Sequence, residues 1–260
     1  ESTKAAMLYL VPTPIGNLDD ITLRGLDVLK RADLIAAEDT RHTAKLLNHY
    51  AIKTPQQSYH EHNEQAVTPK LIERLQAGET IAVVTDAGTP GISDPGYRIM
   101  RAAIDAGVEA TVLPGASAVV PAIVLSGLQV SSFTFRGFLA RKSGRRRNEM
   151  LADQDSPHTL VFYEAPSRVH EFLRDALAVY GDRDVAVVND ISKMYEAAWR
   201  GQISKVLEDL PSEDQRLKGE FAIVLAGSGE KARVRGQQDV NAKPKRVRRH
   251  LRDKQDQEAD

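Results

Sequence analysis

Residues 81–97 read Ile81-Ala82-Val83-Val84-Thr85-Asp86-Ala87-Gly88-Thr89-Pro90-Gly91-Ile92-Ser93-Asp94-Pro95-Gly96-Tyr97. The apolar run Ile81–Thr85 has the composition of a strand buried on both faces, as in parallel sheets. It breaks into a loop with two prolines and three glycines, and Asp94-Pro95 supplies a cap and a first-turn proline for a helix behind it. Strand-to-helix links usually take about 2–6 residues, so a longer one made of Gly, Pro, Thr and Ser is built for something besides connection. A second small-residue turn, Leu113-Pro114-Gly115-Ala116-Ser117-Ala118, follows the next apolar run. Two such loops at the carboxyl ends of neighbouring parallel strands make a cleft for a small molecule.

Outward from this point the chain alternates apolar runs with amphipathic stretches, the pattern of an α/β fold. Strands are expected at Leu8–Val11, Asp33–Ala37 and Val108–Leu113. Asp19 or Asp20 is expected to cap a helix carrying Ile21, Leu23, Leu26, Val28 and Leu29. A helix marked by Leu71, Ile72 and Leu75 should end at Gly78, the helix after Pro95 at Gly107, and residues 116–126 should be helical. Beyond the link at 127–133 come strands at Phe133–Arg136, Leu160–Tyr163, Val185–Val188 and Phe221–Leu225. Helices are expected from Arg141, over Arg168–Val179 and over Ile203–Leu210. The chain therefore divides into an α/β domain over 1–126, a second over 127–229, and a basic tail over 230–260.

Composition bounds the function. With 260 residues, 42% of them hydrophobic, the chain can bury two cores. No apolar run reaches the roughly 20 residues that cross a bilayer, and the first residues, Glu1-Ser2-Thr3-Lys4-Ala5, lack a signal-peptide pattern, so no membrane association and a cytoplasmic location are expected. Zero cysteines exclude disulfides, thiolate catalysis and cysteine-ligated metal. The formal charge of −1 is unevenly spread: residues 231–254 hold ten Lys or Arg against Asp239 and Asp253. Such a segment is expected to be disordered and attracted to phosphates. Deleting residues 231–260 should leave binding of a small molecule at the cleft intact and weaken binding to any phosphate-rich partner, each lost phosphate contact lowering the log–log salt slope by about 0.7–0.9, as measured by titration at several salt concentrations.

Other segments carry chemistry. His60-Glu61-His62-Asn63-Glu64 has no H-E-x-x-H pattern and no third-ligand motif, so it reads as a polar cleft wall with no metal bound. Asp39 and Arg41, after the second strand, are expected to face the same cleft. Arg136 to Arg147 contains six cations alongside Phe138, a mixture suited to phosphate contact and base stacking. The dinucleotide and P-loop fingerprints are absent.

Six segments in order, Leu8–Leu18, Ala37–Arg41, His60–Glu64, Thr85–Tyr97, Pro114–Ala118 and Phe138–Gly144, resemble the tetrapyrrole-methylase-type (class III) S-adenosylmethionine-dependent methyltransferases. Within that family they are most similar to members that methylate the ribose 2′-hydroxyl of a cytidine in the decoding centre of 16S rRNA. The resemblance implies S-adenosylmethionine held between two α/β domains, the small ribosomal subunit as partner, and a homodimer. It implies cofactor contacts at Ile15, Asp86, Gly88, Thr89 and Ile92, at Pro114, Gly115, Ser117 and Ala118, and at Phe162, Tyr163 and Glu220. RNA contacts are expected at Arg41, His60, Asn63, Arg141, Lys142, Arg145 and Arg146. A ribose hydroxyl is a weak nucleophile, so a proton acceptor should assist; His62, Asp39, Asp94 and Glu64 are the candidates, and the sequence does not choose among them. Asn189-Asp190-Ile191-Ser192-Lys193 departs from the Arg-Glu-Leu-Thr-Lys usual in relatives, and Leu139-Ala140-Arg141-Lys142 from Leu-Pro-Arg-Lys. Two other functions fit less of the sequence: methylation of a corrinoid or porphyrin-like ring, and RNA binding without catalysis.

Overall fold

The structure, a computed structural model, describes residues 6–229 except 213, 214 and 216; the tail over 230–260 lies outside the described residues. Two five-stranded sheets carry the fold. The first contains β1 (Met7–Leu10), β2 (Leu34–Ala37), β3 (Gln56–Ser58), β4 (Thr80–Val84) and β5 (Ala110–Val112), in the order β3-β2-β4-β1-β5 and parallel throughout. Its β2 and β4 are buried at every position, as strands covered on both faces must be. Helices α1 (Leu23–Arg31) and α2 (Thr40–His49) cover one face, with Val28, Leu29, Leu46 and Leu47 against Ile35, Ala82 and Val84. Helices α3 (Glu64–Gln76) and α4 (Tyr97–Asp105) cover the other, with Leu71, Leu75, Ile99 and Ala103 against Leu34, Ile81 and Val83. The chain leaves β1 toward β2 and leaves β4 toward β5, in opposite directions across the sheet. The adjacent carboxyl ends of β1 and β4 are therefore a topological switch point, where α/β sheets open a crevice.

The second sheet is mixed. It contains β6 (Phe133–Phe138), β7 (Thr159–Glu164), β8 (Asp184–Asn189), β9 (Ala197–Gln202) and β10 (Phe221–Leu225), in the order β6-β7-β10-β8-β9, with β6 and β7 parallel and the other pairs antiparallel. Helices α6 (Ser143–Leu151), α7 (Val169–Tyr180) and α8 (Ile203–Asp209) supply Met150, Phe172, Leu173 and Val206 to one face. Helix α5 (Val119–Ser126) covers the other with Val119, Ala122 and Ile123 on Val161, Val188 and Val224. This α/β architecture is the one the sequence pattern predicts.

Local boundaries differ in instructive ways. Helix α1 is capped by Thr22, whose Oγ1 accepts the Gly25 N–H at 3.0 Å, while Asp19 and Asp20 sit in a preceding 3-10 turn. Helix α4 starts at Tyr97, after Gly96 at φ +145°, and Asp94-Pro95 stay in the loop because the Gly91 N–H is held by the Pro95 carbonyl at 3.1 Å. A Cβ at position 96 would come within 2.7 Å of the Gly91 nitrogen, so only glycine closes the loop on itself.

Arg146 is a correction. Instead of meeting RNA it is fully buried, donating through Nε to Asp175 Oδ2 at 2.7 Å and through Nη1 to the Arg141 carbonyl at 3.1 Å. Burial pushes the Asp175 carboxyl up, but hydrogen bonds from Arg147, Ser143 and Arg146 outweigh it and hold the group below its usual value. Its stabilising contribution is present at neutral pH and is lost as pH falls through that lowered pKa. Arg146→Ala should destabilise the fold by about 3 kcal/mol in urea unfolding, because it empties a fully buried site and leaves the buried Asp175 Oδ2 without its charged partner, Arg147 and Ser143 holding only Oδ1.

Candidate functional site

Three loops meet at the switch point. Thr13 and Gly88 exchange backbone hydrogen bonds in both directions at 2.9 Å, and Thr13 Oγ1 donates to the Thr85 carbonyl at 2.9 Å, which zips the loop after β1 to the loop after β4. Thr89 Oγ1 donates to the Ala116 carbonyl at 3.0 Å, tying in the loop after β5. Gly88, Gly91 and Ser93 all have positive φ, at 82°, 89° and 62°. A strained non-glycine residue at such a place is a mark of function rather than of economy in folding.

The two sheets face each other across this corner and touch through glycines. A Cβ on Gly137 of β6 would lie 2.8 Å from Ser93 Oγ, and one on Gly16 would strike the Lys193 stem. The Lys193 ammonium continues to Asp190 at 3.2 Å and Glu220 at 3.1 Å. Between these contacts lies a cavity of about 370 Å³. Ile15, Asp86, Gly88, Thr89, Ile92, Ser117 and Ala118 line it from the first sheet, with Tyr163 and Glu220 from the second. Nine of the residues expected at a cofactor are thus brought together. Pro114 and Gly115 are exposed outside the lining, where Gly115 packs on the Pro12 ring. Phe162 is also displaced: its side chain is fully buried on the far face of β7, its ring 5.1 Å from that of Phe172, and Tyr163 is the one that points inward.

Sequence reasoning missed Glu38, Ser93, Glu164, Pro166 and Ile191 as lining residues, and it assigned Phe138 to RNA. Phe138 instead packs 5.6 Å from Tyr163 at the cavity wall. Glu38 had a signal, since it directly follows the fully buried β2 at its carboxyl end. Its Oε2 accepts the Asp86 N–H at 3.1 Å, and Asp86 Oδ1 accepts the Asp39 N–H at 3.2 Å.

The electrostatics are acidic. Burial, then the charges of Glu38, Asp86 and Glu220, push the Asp94 carboxyl up to about 7. Burial raises Glu38 as well, with the hydrogen bond from the Asp86 N–H opposing it and the Asp86 charge adding to it. Tyr163 is pushed up to about 12 by burial and by Asp94 and Glu220. Such a wall favours a cation. Glu164 adds a buried acceptor, Oε2, which has no hydrogen-bond donor among the described residues, while Oε1 pairs with Arg168 at 2.5 Å.

A second cavity, of about 710 Å³, adjoins the first and shares Glu38, Ser93 and Asp94 with it. Glu61, Glu64, Tyr97, Arg98, Arg101 and Asp105 lie farther along its wall. Of the four proton-acceptor candidates, Asp94 alone lines both cavities. Glu64 lines the second and pairs with Arg98 at 3.2 Å. Asp39 caps α2, and hydrogen bonds from Arg41 hold its carboxyl down to about 2, which makes it a weak base. His62 is exposed and lines neither cavity.

None of the expected RNA residues lines either cavity. Arg41, Arg141, Lys142 and Arg145 are exposed, Arg145 beside Glu149 at 3.4 Å. Asn63 is used internally, accepting the His60 N–H at 2.8 Å and donating to the Ser58 carbonyl at 3.1 Å, so it shapes the turn that presents His60 and His62. Those two rings meet edge to face at 5.9 Å. No group of three or more potential ligands that could hold a metal ion occurs among the described residues. No helix among them is long and apolar enough to cross a membrane.

A parallel sheet with a switch-point cavity closed by a second, mixed sheet is the architecture of one group of methyltransferases. The family model for tetrapyrrole (corrin/porphyrin) methylases matches residues 7–207, and the chain belongs to that family. Within it, the chain is 46% identical over 224 residues to the ribosomal RNA small subunit methyltransferase I of Halalkalibacterium halodurans, covering 86% of this chain and 77% of that protein. Among solved structures, the fold is similar to diphthine synthase, with a TM-score of 0.66 and 16% identity over 85% of this chain and 90% of that one. It is also similar to uroporphyrin-III C-methyltransferase from Thermus thermophilus complexed with S-adenyl homocysteine, with a TM-score of 0.59 and 19% identity over 85% of this chain and 97% of that one.

Proposed function

We propose that this chain transfers a methyl group from S-adenosylmethionine to the ribose 2′-hydroxyl of a cytidine in the decoding centre of 16S rRNA. The observation that carries the reading is the extended identity with a ribosomal RNA small subunit methyltransferase I, together with the cavity that its loops build. The cofactor cleft lies between two α/β domains, one built on each sheet, and α5, expected within the domain over 1–126, packs on the second sheet and so belongs with the later domain.

The cavity suits the cofactor. Its volume is within the range of about 300–1,000 Å³ usual for such ligands. Carboxylates of Glu38, Asp86, Asp94 and Glu220 favour a sulfonium and an ammonium, and Tyr163 and Phe138 offer ring faces to an adenine. When bound, the sulfonium supplies an electrophilic methyl. The chain's own part is to hold the acceptor oxygen in line at about 3–3.5 Å, exclude water and take up a proton. Asp94 takes that proton at its carboxylate, being the acceptor that reaches both cavities and titrates near neutrality.

A carboxylate-bearing tetrapyrrole fits these walls poorly, because like charges would face each other at low dielectric. The protein is read as cytoplasmic, where its RNA is made, and as a homodimer, for which exposed Val120 and Val124 on α5 and Val112 on β5 supply apolar surface. The test is mass mapping of 16S rRNA from cells lacking this protein. One ribose methyl should be missing at a cytidine and should return when the purified chain is added to the 30S subunits with S-adenosylmethionine. An unchanged map would refute the reading.

A further inference from the structure

Apart from Glu38, Ser93 and Asp94, the residues of the larger cavity lie outside those assigned to the cofactor, and its lining is mainly acidic. Five carboxylates line it, those of Glu38, Glu61, Glu64, Asp94 and Asp105, against Arg98 and Arg101. Both arginines are already paired, Arg98 with Glu64 and Arg101 with Asp105. A phosphate placed there would meet an excess of negative charge. Groups that donate hydrogen bonds without carrying negative charge would meet acceptors on several sides.

We propose that this cavity receives the nucleoside to be methylated, flipped out of its RNA chain, and that it selects a base bearing an exocyclic amino group. The inference rests on the methyl-transfer reading and adds to it where the substrate sits and what is read. Glu38, Ser93 and Asp94 form the wall shared with the first cavity, so the reacting ribose belongs there, its hydroxyls donating to the carboxylates. The base then extends toward the residues that only the second cavity has. Among these Tyr97, at the first turn of α4, is 76% exposed and offers a ring for an unstacked base. Glu61 carries no ion pair among the described residues and is exposed at this end. A carboxylate accepts from the 4-amino group of cytosine and repels the keto oxygen that uracil presents in its place. The flanking phosphates remain outside, with Arg41, Arg141 and Lys142.

The test uses the full chain and 30S subunits reconstituted with the target nucleotide kept as cytidine or replaced by uridine. The wild type should prefer the cytidine subunits by at least about tenfold in kcat/KM, and Glu61→Gln, whose amide can donate to a keto oxygen, should reduce that preference to about threefold or less. Tyr97→Ala should raise KM for 30S by about tenfold, and Tyr97→Phe, which keeps the ring, should restore it. Calorimetric affinity for S-adenosylmethionine should be unchanged in all three. If the wild type methylates both subunits equally, or if Glu61→Gln and Tyr97→Ala behave as wild type, the nucleoside pocket is overturned while the methyl-transfer reading stands. If the wild type binds S-adenosylmethionine but methylates neither subunit, the underlying reading falls and this proposal falls with it.

Discussion

Asp94→Asn should lower methyl transfer to 30S subunits by about 10²–10⁴-fold, the contribution a positioned proton acceptor makes. Cofactor affinity should change far less, since the side chain keeps its shape and the carboxyl it replaces is only partly ionised near pH 7. The pH profile gives a second, independent reading. Wild-type activity should fall as pH drops below about 7, because the raised carboxyl becomes protonated and can no longer accept. The positive charge of bound cofactor favours the ionised form, so the acid limb measured at saturation should lie lower than in the free enzyme. Stability should move the other way. A carboxyl raised in the folded state favours folding while protonated and opposes it once pH rises through the folded pKa, so Asp94→Asn should raise the thermal midpoint at pH 8. Retention of the wild-type rate, or persistence of the same acid limb in the variant, would move the base elsewhere.

Ser117→Trp should weaken S-adenosylmethionine binding by more than about 100-fold, equivalent to roughly 2.7 kcal/mol. The indole would project into a cavity of about 370 Å³, while the hydrogen bond lost, from the Val119 N–H to Ser117 Oγ at 3.3 Å, is long. The urea midpoint should therefore stay close to that of the wild type. Thr89→Arg should also abolish binding, but it removes the Thr89 bond to the Ala116 carbonyl and with it about 1 kcal/mol of stability. The tryptophan variant thus separates occupancy from folding more cleanly, and normal calorimetric binding by it would place the cofactor in another part of the cleft.

The elements that the sequence made legible are those buried on both faces. Strands β2, β4, β7, β8 and β10 stand out as apolar runs, and the boundaries of β10 coincide with the expectation. The missed strands, β3 (Gln-Gln-Ser) and β9 (Ala-Ala-Trp-Arg-Gly-Gln), are sheet edges. An edge strand has one neighbour and partial exposure, so its composition need not be apolar. Helix α2 was missed because only Thr43, Leu46 and Leu47 of its ten residues are buried, leaving a short stripe. Glycine and proline advertised the loops of the first half of the site. The second half was harder, because strand periodicity separates Phe162 from Tyr163 without saying which face meets the cleft. Arg146 did carry a signal: it lies four residues before the buried Met150, on the same helical face.

The strand order of the first sheet has a consequence during synthesis. Strand β1 pairs with β4 and β5 and with no nearer segment. When the ribosome has made Met7–Leu10, the partners of that strand are still some seventy residues away, a delay of about 4–15 s at 5–20 residues per second. Until then Met-Leu-Tyr-Leu-Val, uncharged and rich in strand formers, has both edges open to any passing chain. The nascent protein is most exposed to aggregation in that interval, and a chaperone that shields Met7–Val11 would protect the later assembly of the whole switch point.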